Sequence, residues 1–138
     1  MRSLRIVHLV EALGVGGIER VVQTLVRNTP AGARAEVICA AGGGPLAEEI
    51  EAAGTPVRVL HVSSYYPACI ARTALALKEK RADVVHSHGH FAGVLGRAAA
   101  WWARVPVVIH HLHTIDTTLL PRHRRLERAL AQIGRAHV

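Results

Sequence analysis

Short apolar runs alternate along the chain with segments that are apolar on one side only. Residues 4–10 are almost continuously apolar, which predicts a buried first strand. The helix predicted after it has apolar residues at intervals of three and four, namely Ile18, Val21, Val22, Leu25 and Val26. The same alternation predicts further strands at 34–40, 56–62, 83–88 and 106–111, and further helices at 45–53, at 68–80, over 91–102 and from about 121.

Strands that alternate with helices in this way predict an α/β fold of Rossmann-like type. We expect one parallel sheet of about five strands with right-handed crossovers and helices on both faces. The 138 residues are the length of one domain, and 50% of them are apolar, enough for a core. In the fourth helix we expect an apolar face of Phe91, Val94, Leu95, Ala98, Ala99 and Trp102 to point inward. Ligands of such sheets bind beyond the carboxyl ends of the strands, which selects residues 11–17, 88–90 and 112–116.

A glycine-rich turn, residues 14–17, joins the first strand to the first helix. Glycine lets the backbone turn sharply and approach a ligand closely, and the amides at a helix start attract anions. We therefore expect a site for a phosphate or a hydroxyl-rich group, with a ligand-free tight turn as the alternative. A dinucleotide site is not favoured, because Glu19 stands at the last glycine position of the G-x-G-x-x-G pattern.

The bulk composition indicates a cytoplasmic protein. No stretch reaches the roughly 18 uncharged residues of a membrane span, and the apolar run after Arg5 is too short for a signal peptide. Cys39 and Cys69 form no C-x-x-C pair, which is typical of a reducing compartment. We expect the protein in the cytoplasm, or peripherally at the inner face of the plasma membrane.

The net charge of +7 is concentrated near the carboxyl terminus, where residues 122–135 hold five arginines and one acid. We expect no nucleic-acid partner, because the basic residues are not interleaved with the aromatic residues that stacking requires. The basic helix either contacts anionic lipid head groups or is a solvated helix face.

Six of the ten histidines lie in two short runs, His86, His88 and His90, and then His110, His111 and His113. A strand places both rings of an H-x-H pair on one face, as in strand-borne metal sites. No aspartate completes the H-x-H-x-D-H pattern of binuclear hydrolases, so we predict no metal site. We expect His88 and His113 to emerge at strand ends, where a neutral imidazole can bond to sugar hydroxyls.

With these features assembled, the chain resembles the N-terminal half of family 4 glycosyltransferases, which are retaining enzymes of the GT-B fold. No single stretch is decisive, but the matching stretches follow one another in family order over most of the chain. They are residues 5–10, 16–20, 83–89, 92–97 and 105–113.

The resemblance implies that two Rossmann-like domains face each other, the first holding the acceptor and the second the nucleotide-sugar donor. It implies that the amides of Gly16 and Gly17 face the donor diphosphate or the acceptor, beside Glu19, the acid of the family's G-G-x-E run. It also implies that His113 is the catalytic histidine that contacts the transferred sugar, and that His88 lines the acceptor side. Transfer in this family typically needs no metal or other cofactor, and the nucleotide-sugar is a co-substrate.

Against that family pattern, the donor-binding C-terminal domain is absent from these 138 residues. We therefore interpret residues 1–132 as an incomplete N-terminal domain that is inactive alone, and its missing partner as the other half of the same enzyme. Residues 133–138 can be encoded by ATC GGA AGA GCA CAC GTC, the start of a common sequencing-adapter sequence. We expect this tail to be non-native, with a coincidental native sequence as the alternative.

The sequence thus predicts a fragment of a retaining glycosyltransferase that moves a sugar from a nucleotide-sugar to a hydroxyl-bearing acceptor, which is a lipid, glycan or small molecule. One alternative is a non-catalytic module that binds a sugar or nucleotide in the same crevice. The other is a metal-dependent hydrolase that uses His86, His88, His90 and His113.

Overall fold

Within the part of the chain that the structure describes, one parallel sheet of six strands organises the fold. The computed structural model describes residues 2–112, 121–131 and 136–137. The strands lie in the order β3-β2-β1-β4-β5-β6, and every neighbouring pair is parallel. The elements along the chain are β1 (Leu4–Val10), α1 (Gly17–Arg27), β2 (Ala33–Cys39), α2 (Pro45–Ala52), β3 (Val57–Val59), α3 (Pro67–Glu79), β4 (Val84–His88), α4 (His90–Ala103), β5 (Val107–His111), α5 (Pro121–Leu130) and β6 (Ala136–His137).

This architecture confirms the predicted alternation of strands and helices. The five predicted strands all form, and their bounds lie within one residue of the prediction except in β3. That strand is only three residues long, although the Leu60 and Val62 amides still donate to the carbonyls of Cys39 and Ala40. The two-residue strand β6 is an addition that we did not predict, and it pairs with β5 at the edge of the sheet.

Two hydrophobic cores cover the two faces of the sheet. Helices α1 and α2 pack over the β1–β3 side through a core that includes Val10, Val22 and Ile50. Helices α3 and α4 pack on the other face through a larger core that includes Leu9, Val85 and Leu95. Aliphatic side chains fill both cores, as expected for a chain with only 4% aromatic residues.

Helix α4 lies unusually close to the strands beneath it. A Cβ built on Gly93 would overlap the ring of His110 in β5, and one on Gly96 would lie 2.8 Å from Cδ2 of Leu9. The two glycines therefore let the helix backbone rest directly on β1 and β5. The predicted apolar face of α4 is wrong at Trp102, which is 48% exposed because it lies in the last turn, beyond the end of the sheet core.

Charged groups hold the amino ends of β1 and β4 together. The Arg2 guanidinium donates to both carboxylate oxygens of Asp83, at 2.7 and 3.2 Å, and the Arg5 backbone amide donates to Oδ2 at 2.9 Å. These hydrogen bonds, the Arg5 amide foremost, hold the pKa of Asp83 below its usual value. Within the described residues, no helix is both long enough and apolar enough to cross a membrane.

Candidate functional site

The carboxyl ends of the strands carry loops that are tied to one another. The Leu13 amide, after β1, donates to the Gly43 carbonyl after β2, and the Leu46 amide donates back to the Leu13 carbonyl. Gly44 permits this contact because its φ is +146° and a Cβ there would collide with the Leu13 carbonyl. The turn after β1 is therefore held in place by the loop after β2.

The turn between β4 and α4 also reaches the start of α1. A Cβ built on Gly89 would lie 3.5 Å from Cδ1 of Ile18, and the φ of Gly89 is +84°. On its other side, the Gly89 amide donates to the His111 carbonyl at the end of β5. The structure thus brings together the first two segments that we selected as the ligand crevice, 11–17 and 88–90. Residues 113–116 of the third segment lie outside the described residues.

The glycine turn presents an open backbone at the start of α1. Gly17 is exposed, and a Cβ built on it would have nothing within 4 Å. Gly16 is the N-cap residue, and no side chain caps it. Glu19 folds back beside it, since a Cβ on Gly16 would lie 2.6 Å from Oε2 of Glu19. A carboxylate of the chain itself therefore faces the positive end of the helix, next to the predicted anion site.

His88 does not emerge at the strand end as we expected. Its residue is only 2% exposed, and its Nε2 lies 3.1 Å from Nδ1 of His8 in the neighbouring strand. In the pairing of β1 with β4, His8 lies opposite His86. His88 lies two residues further along β4 and therefore on the same face of the sheet, beside the His8 ring. A direct contact between His88 and an acceptor stays a prediction.

Four imidazole rings share this face of β1, β4 and β5. The His86 and His88 rings stack at a centroid separation of 4.1 Å, and His8 lies 5.2 Å from His86. The His111 ring lies 5.7 Å from each of the two β4 rings. We call His8, His86, His88 and His111 the histidine cluster.

Burial keeps part of the histidine cluster neutral. Desolvation lowers the pKa of His8 to about 4, so that this imidazole carries no charge near neutral pH. A neutral ring has one nitrogen that donates and one that accepts, which fits a hydrogen bond between the His8 and His88 rings. Within the described residues, the ligand atoms of His8, His86 and His88 all lie within 4.8 Å of one another, close enough to hold a metal ion.

The other histidines of the two runs have different surroundings. His110 points to the opposite face, where Nδ1 lies 3.1 Å from Oγ of Ser87 under helix α4, so it is a packed core residue. His90 begins α4 and places its ring 5.2 Å from that of His123 in α5. In the described part of the chain, the close set of ligand atoms within 4.8 Å of one another comes from His8, His86 and His88 and does not include His90. His113 lies outside the described residues.

Two residues of this region escaped the sequence prediction. His8 belongs to the histidine cluster, but only the register of β1 against β4, 78 residues apart, brings it there. Arg97 is 1% exposed in α4, with Nε donating to the Gly93 carbonyl at 2.8 Å. Its position in the matching stretch 92–97 was the one signal that could have marked it.

A cavity of about 690 Å³ lies at the opposite end of the sheet, between the end of α4 and the start of β5. Trp101, Trp102 and Arg104 line part of it. The amino ends of the strands are not where α/β sheets bind ligands, so we do not assign this cavity to the site.

Sequence comparison links most of the chain to one family. The profile of the family described as Glycosyltransferase Family 4 matches residues 15–138. The UDP-Gal:alpha-D-GlcNAc-diphosphoundecaprenol alpha-1,3-galactosyltransferase of Escherichia coli is 49% identical to this chain over 37 residues. Those residues are 27% of this chain and 10% of that protein.

Solved structures share the fold. The structure described as Anabaena Alr3699/HepE in complex with UDP matches 97% of this chain, with a TM-score of 0.79 and 21% identity. A putative UDP-N-acetylglucosamine 2-epimerase from Listeria monocytogenes matches 99% of it, with a TM-score of 0.60 and 13% identity. The chain spans 37% and 39% of those two chains. These likenesses confirm the Rossmann-like fold that we predicted.

Proposed function

The chain belongs to glycosyltransferase family 4, and on that premise we propose that it is the acceptor-side domain of a retaining enzyme that uses a nucleotide-sugar donor. One observation carries the proposal: the turn after β1, the turn after β4 and the end of β5 meet at the carboxyl edge of the sheet. Gly89 links these three elements, because its amide donates to the His111 carbonyl and a Cβ built on it would lie 3.5 Å from Cδ1 of Ile18. This edge is where α/β sheets bind their ligands.

In this proposal, the open start of α1 contacts an anionic or hydroxyl-rich group. A Cβ built on Gly16 would meet the Glu19 carboxylate, and one built on Gly17 would have nothing within 4 Å. Glu19 accepts from an acceptor hydroxyl, and a diphosphate approaches through the Gly17 side, where nothing stands within 4 Å of a built Cβ. His113 contacts the transferred sugar, as the family resemblance implies, and His88 supports the acceptor wall from beneath.

We propose a uridine diphosphate sugar as the donor. The name of the Escherichia coli relative includes UDP-Gal, and the Anabaena structure is described as a complex with UDP. The donor domain of the same enzyme is the implied partner, because the chain spans little more than a third of the solved structures that it matches.

The acceptor that we propose is a lipid-linked glycan diphosphate at a membrane surface. The name of the Escherichia coli relative contains such an acceptor. Four arginines of α5, all exposed, support the proposal, because clustered positive charge attracts anionic head groups. They are Arg122, Arg124, Arg125 and Arg128.

Gly17 offers a matched pair of variants that tests the site. The experiment begins by reading the source gene through codon 138 and expressing the whole frame. We expect a second nucleotide-binding domain to follow, and the joined protein to transfer sugar from a UDP-sugar to a short-chain GlcNAc-diphosphate lipid. Gly17→Ala and Gly17→Asp both fit the open space, but only the aspartate adds a negative charge at the helix start.

We expect Gly17→Ala to keep its activity and Gly17→Asp to lose roughly tenfold or more in kcat/KM. Like charges about 4 Å apart near a protein surface repel by about 4 kcal/mol, and about 1.4 kcal/mol is enough for a factor of ten. An acidic first turn stabilises a helix, so the loss would not come from unfolding. Equal activity of the two variants would reject an anion at this turn.

A non-catalytic binding module stays the second candidate. The Listeria monocytogenes structure has the same fold and a name that assigns it a different chemistry, so the fold alone does not select transfer. A native stop codon after Val138, together with UDP-sugar binding and no transfer, would favour this module over the transferase.

A further inference from the structure

Three histidines on β1 and β4 form a compact set of nitrogen ligands. In the parallel pairing, His8 lies directly opposite His86, and His88 follows on the same face of β4. Their ligand atoms lie within 4.8 Å of one another, and Nδ1 of His8 and Nε2 of His88 are 3.1 Å apart. The pairing of β1 with β4 therefore fixes the backbone positions from which the three side chains extend.

These distances suit a small cation with tetrahedral coordination, such as Zn²⁺. Zinc–imidazole bonds of about 2.0–2.1 Å place two ligand nitrogens roughly 3.3 Å apart in a tetrahedral site. The pair formed by His8 and His88 already has nearly that spacing. The third nitrogen lies within 4.8 Å of the other two, so it moves by at most about 1.5 Å to reach the same spacing. It belongs to His86, the least buried of the three histidines.

We infer that His8, His86 and His88 bind one divalent transition-metal ion of the zinc type. Three imidazole nitrogens are a donor set that suits zinc, cobalt, nickel and copper, whereas magnesium and calcium prefer oxygen ligands. Binding replaces the hydrogen bond between His8 and His88 with two metal–nitrogen bonds. The proton of that hydrogen bond moves to the other nitrogen of the ring that donated it, so that each metal-binding nitrogen has a free lone pair.

The bound ion has a structural consequence for the carboxyl edge. His88 is followed directly by Gly89, where a built Cβ would lie 3.5 Å from Cδ1 of Ile18 at the start of α1. An ion that clamps β1 to β4 at His8 and His88 would hold this turn against α1. The inference goes beyond the proposed function, because the transfer proposed above needs no metal.

Cobalt binding provides the test. The untagged 138-residue chain is stripped with a chelator and titrated with Co²⁺, whose visible absorption reports nitrogen ligands, and Zn²⁺ is then added in competition. His86→Asn removes the half-buried ligand, and His61→Asn is the matched control at an exposed histidine. Asparagine is tolerated at the positive φ of His61.

We expect one tightly bound ion per chain, displaced by Zn²⁺ and unaffected by His61→Asn. His86→Asn should weaken binding by more than the roughly 10–100-fold that loss of an outer-shell partner costs. Histidine-ring nitrogen resonances of the unaltered chain supply a second readout that needs no variant, and Zn²⁺ should shift those of His8 and His88. Absence of binding, full binding by His86→Asn, or shifts confined to other histidines would overturn the inference.

Discussion

The two ends of the β1–β4 pair are built from different chemistry. At the amino end, the Arg2 side chain and the Arg5 amide donate hydrogen bonds to the Asp83 carboxylate, and these bonds link the two strands. At the carboxyl end, glycines let loops and helices approach one another, and imidazole rings stack beside them. The amino end therefore serves stability, whereas the carboxyl end combines close packing with an open helix start that can receive a ligand.

The largest loss of stability should come from adding a side chain at Gly44, where the loop after β2 packs against the turn after β1. In Gly44→Ala, the new Cβ meets the Leu13 carbonyl, and the φ of +146° is strained for any side chain. We expect a loss of roughly 1–3 kcal/mol from backbone strain alone, read as a lower urea midpoint. The control is Gly42→Ala, where a Cβ would have nothing within 4 Å.

A stable Gly44→Ala variant with an unchanged midpoint would show that the turn after β1 does not depend on the loop after β2. The comparison between the two ends would then lose its geometric basis, because the glycine turn would be free to adopt other positions.

A smaller and pH-dependent effect should follow from Asp83→Asn at the amino end. Hydrogen bonds from the Arg5 amide and the Arg2 side chain lower the pKa of Asp83 in the folded state. The carboxylate thus contributes stability above its unfolded pKa of about 4, and that contribution is lost as the pH falls through the lower folded value.

The midpoint of thermal unfolding measures this effect at pH 7 and at pH 3. At pH 7, we expect the original protein to unfold at a higher midpoint temperature than Asp83→Asn. At pH 3, we expect a smaller difference between the two midpoints. A gap of the same size at both values would mean that the charge of Asp83 does not contribute. The exposed Arg2 side chain limits the size of the effect, because water screens the pair.

The last prediction concerns the reactivity of the two cysteine thiols, and it involves no change in stability. Cys39 at the end of β2 is fully buried, and burial, reinforced by the Glu51 charge, raises its pKa to about 12. Cys69 in α3 is only half-buried, with Sγ 3.3 Å from Oγ of Ser64. In a thiol-reagent assay at pH 8, we expect Cys69 to react and Cys39 to stay protected until the protein unfolds.

Mass mapping of the labelled peptides separates the two sites. Rapid labelling of Cys39 in the folded protein would contradict the tight closure that we assign to the core beneath α1 and α2.

Most of the fold could be predicted because it depends on local signals. The apolar run at 4–10 and the spacing of Ile18, Val22 and Val26 predict a strand and a helix without any knowledge of distant residues. Trp102 was misplaced because periodicity tells which side of a helix is apolar, but not where the neighbouring sheet ends.

Much less of the site could be predicted, because it depends on register. Alternation alone puts His86 and His88 on one face, yet nothing local reveals that His8 lies opposite His86. The same rule applies to His110, whose burial against Gly93 depends on the approach of α4. Residue type and spacing therefore predict which segments lie at the carboxyl edge, but not the surroundings of each histidine along it.

The central claim is that the carboxyl edge of the sheet receives the ligand. Amide chemical-shift mapping of the ¹⁵N-labelled chain, titrated with a short-chain GlcNAc-diphosphate lipid below its micelle concentration, tests this most directly. We expect saturable shifts at Gly16, Gly17 and Gly89, with no change at Trp101 and Arg104 beside the amino-end cavity. Shifts centred on Trp101 and Arg104, or a saturating ligand that leaves all three glycine amides unmoved, would contradict the account.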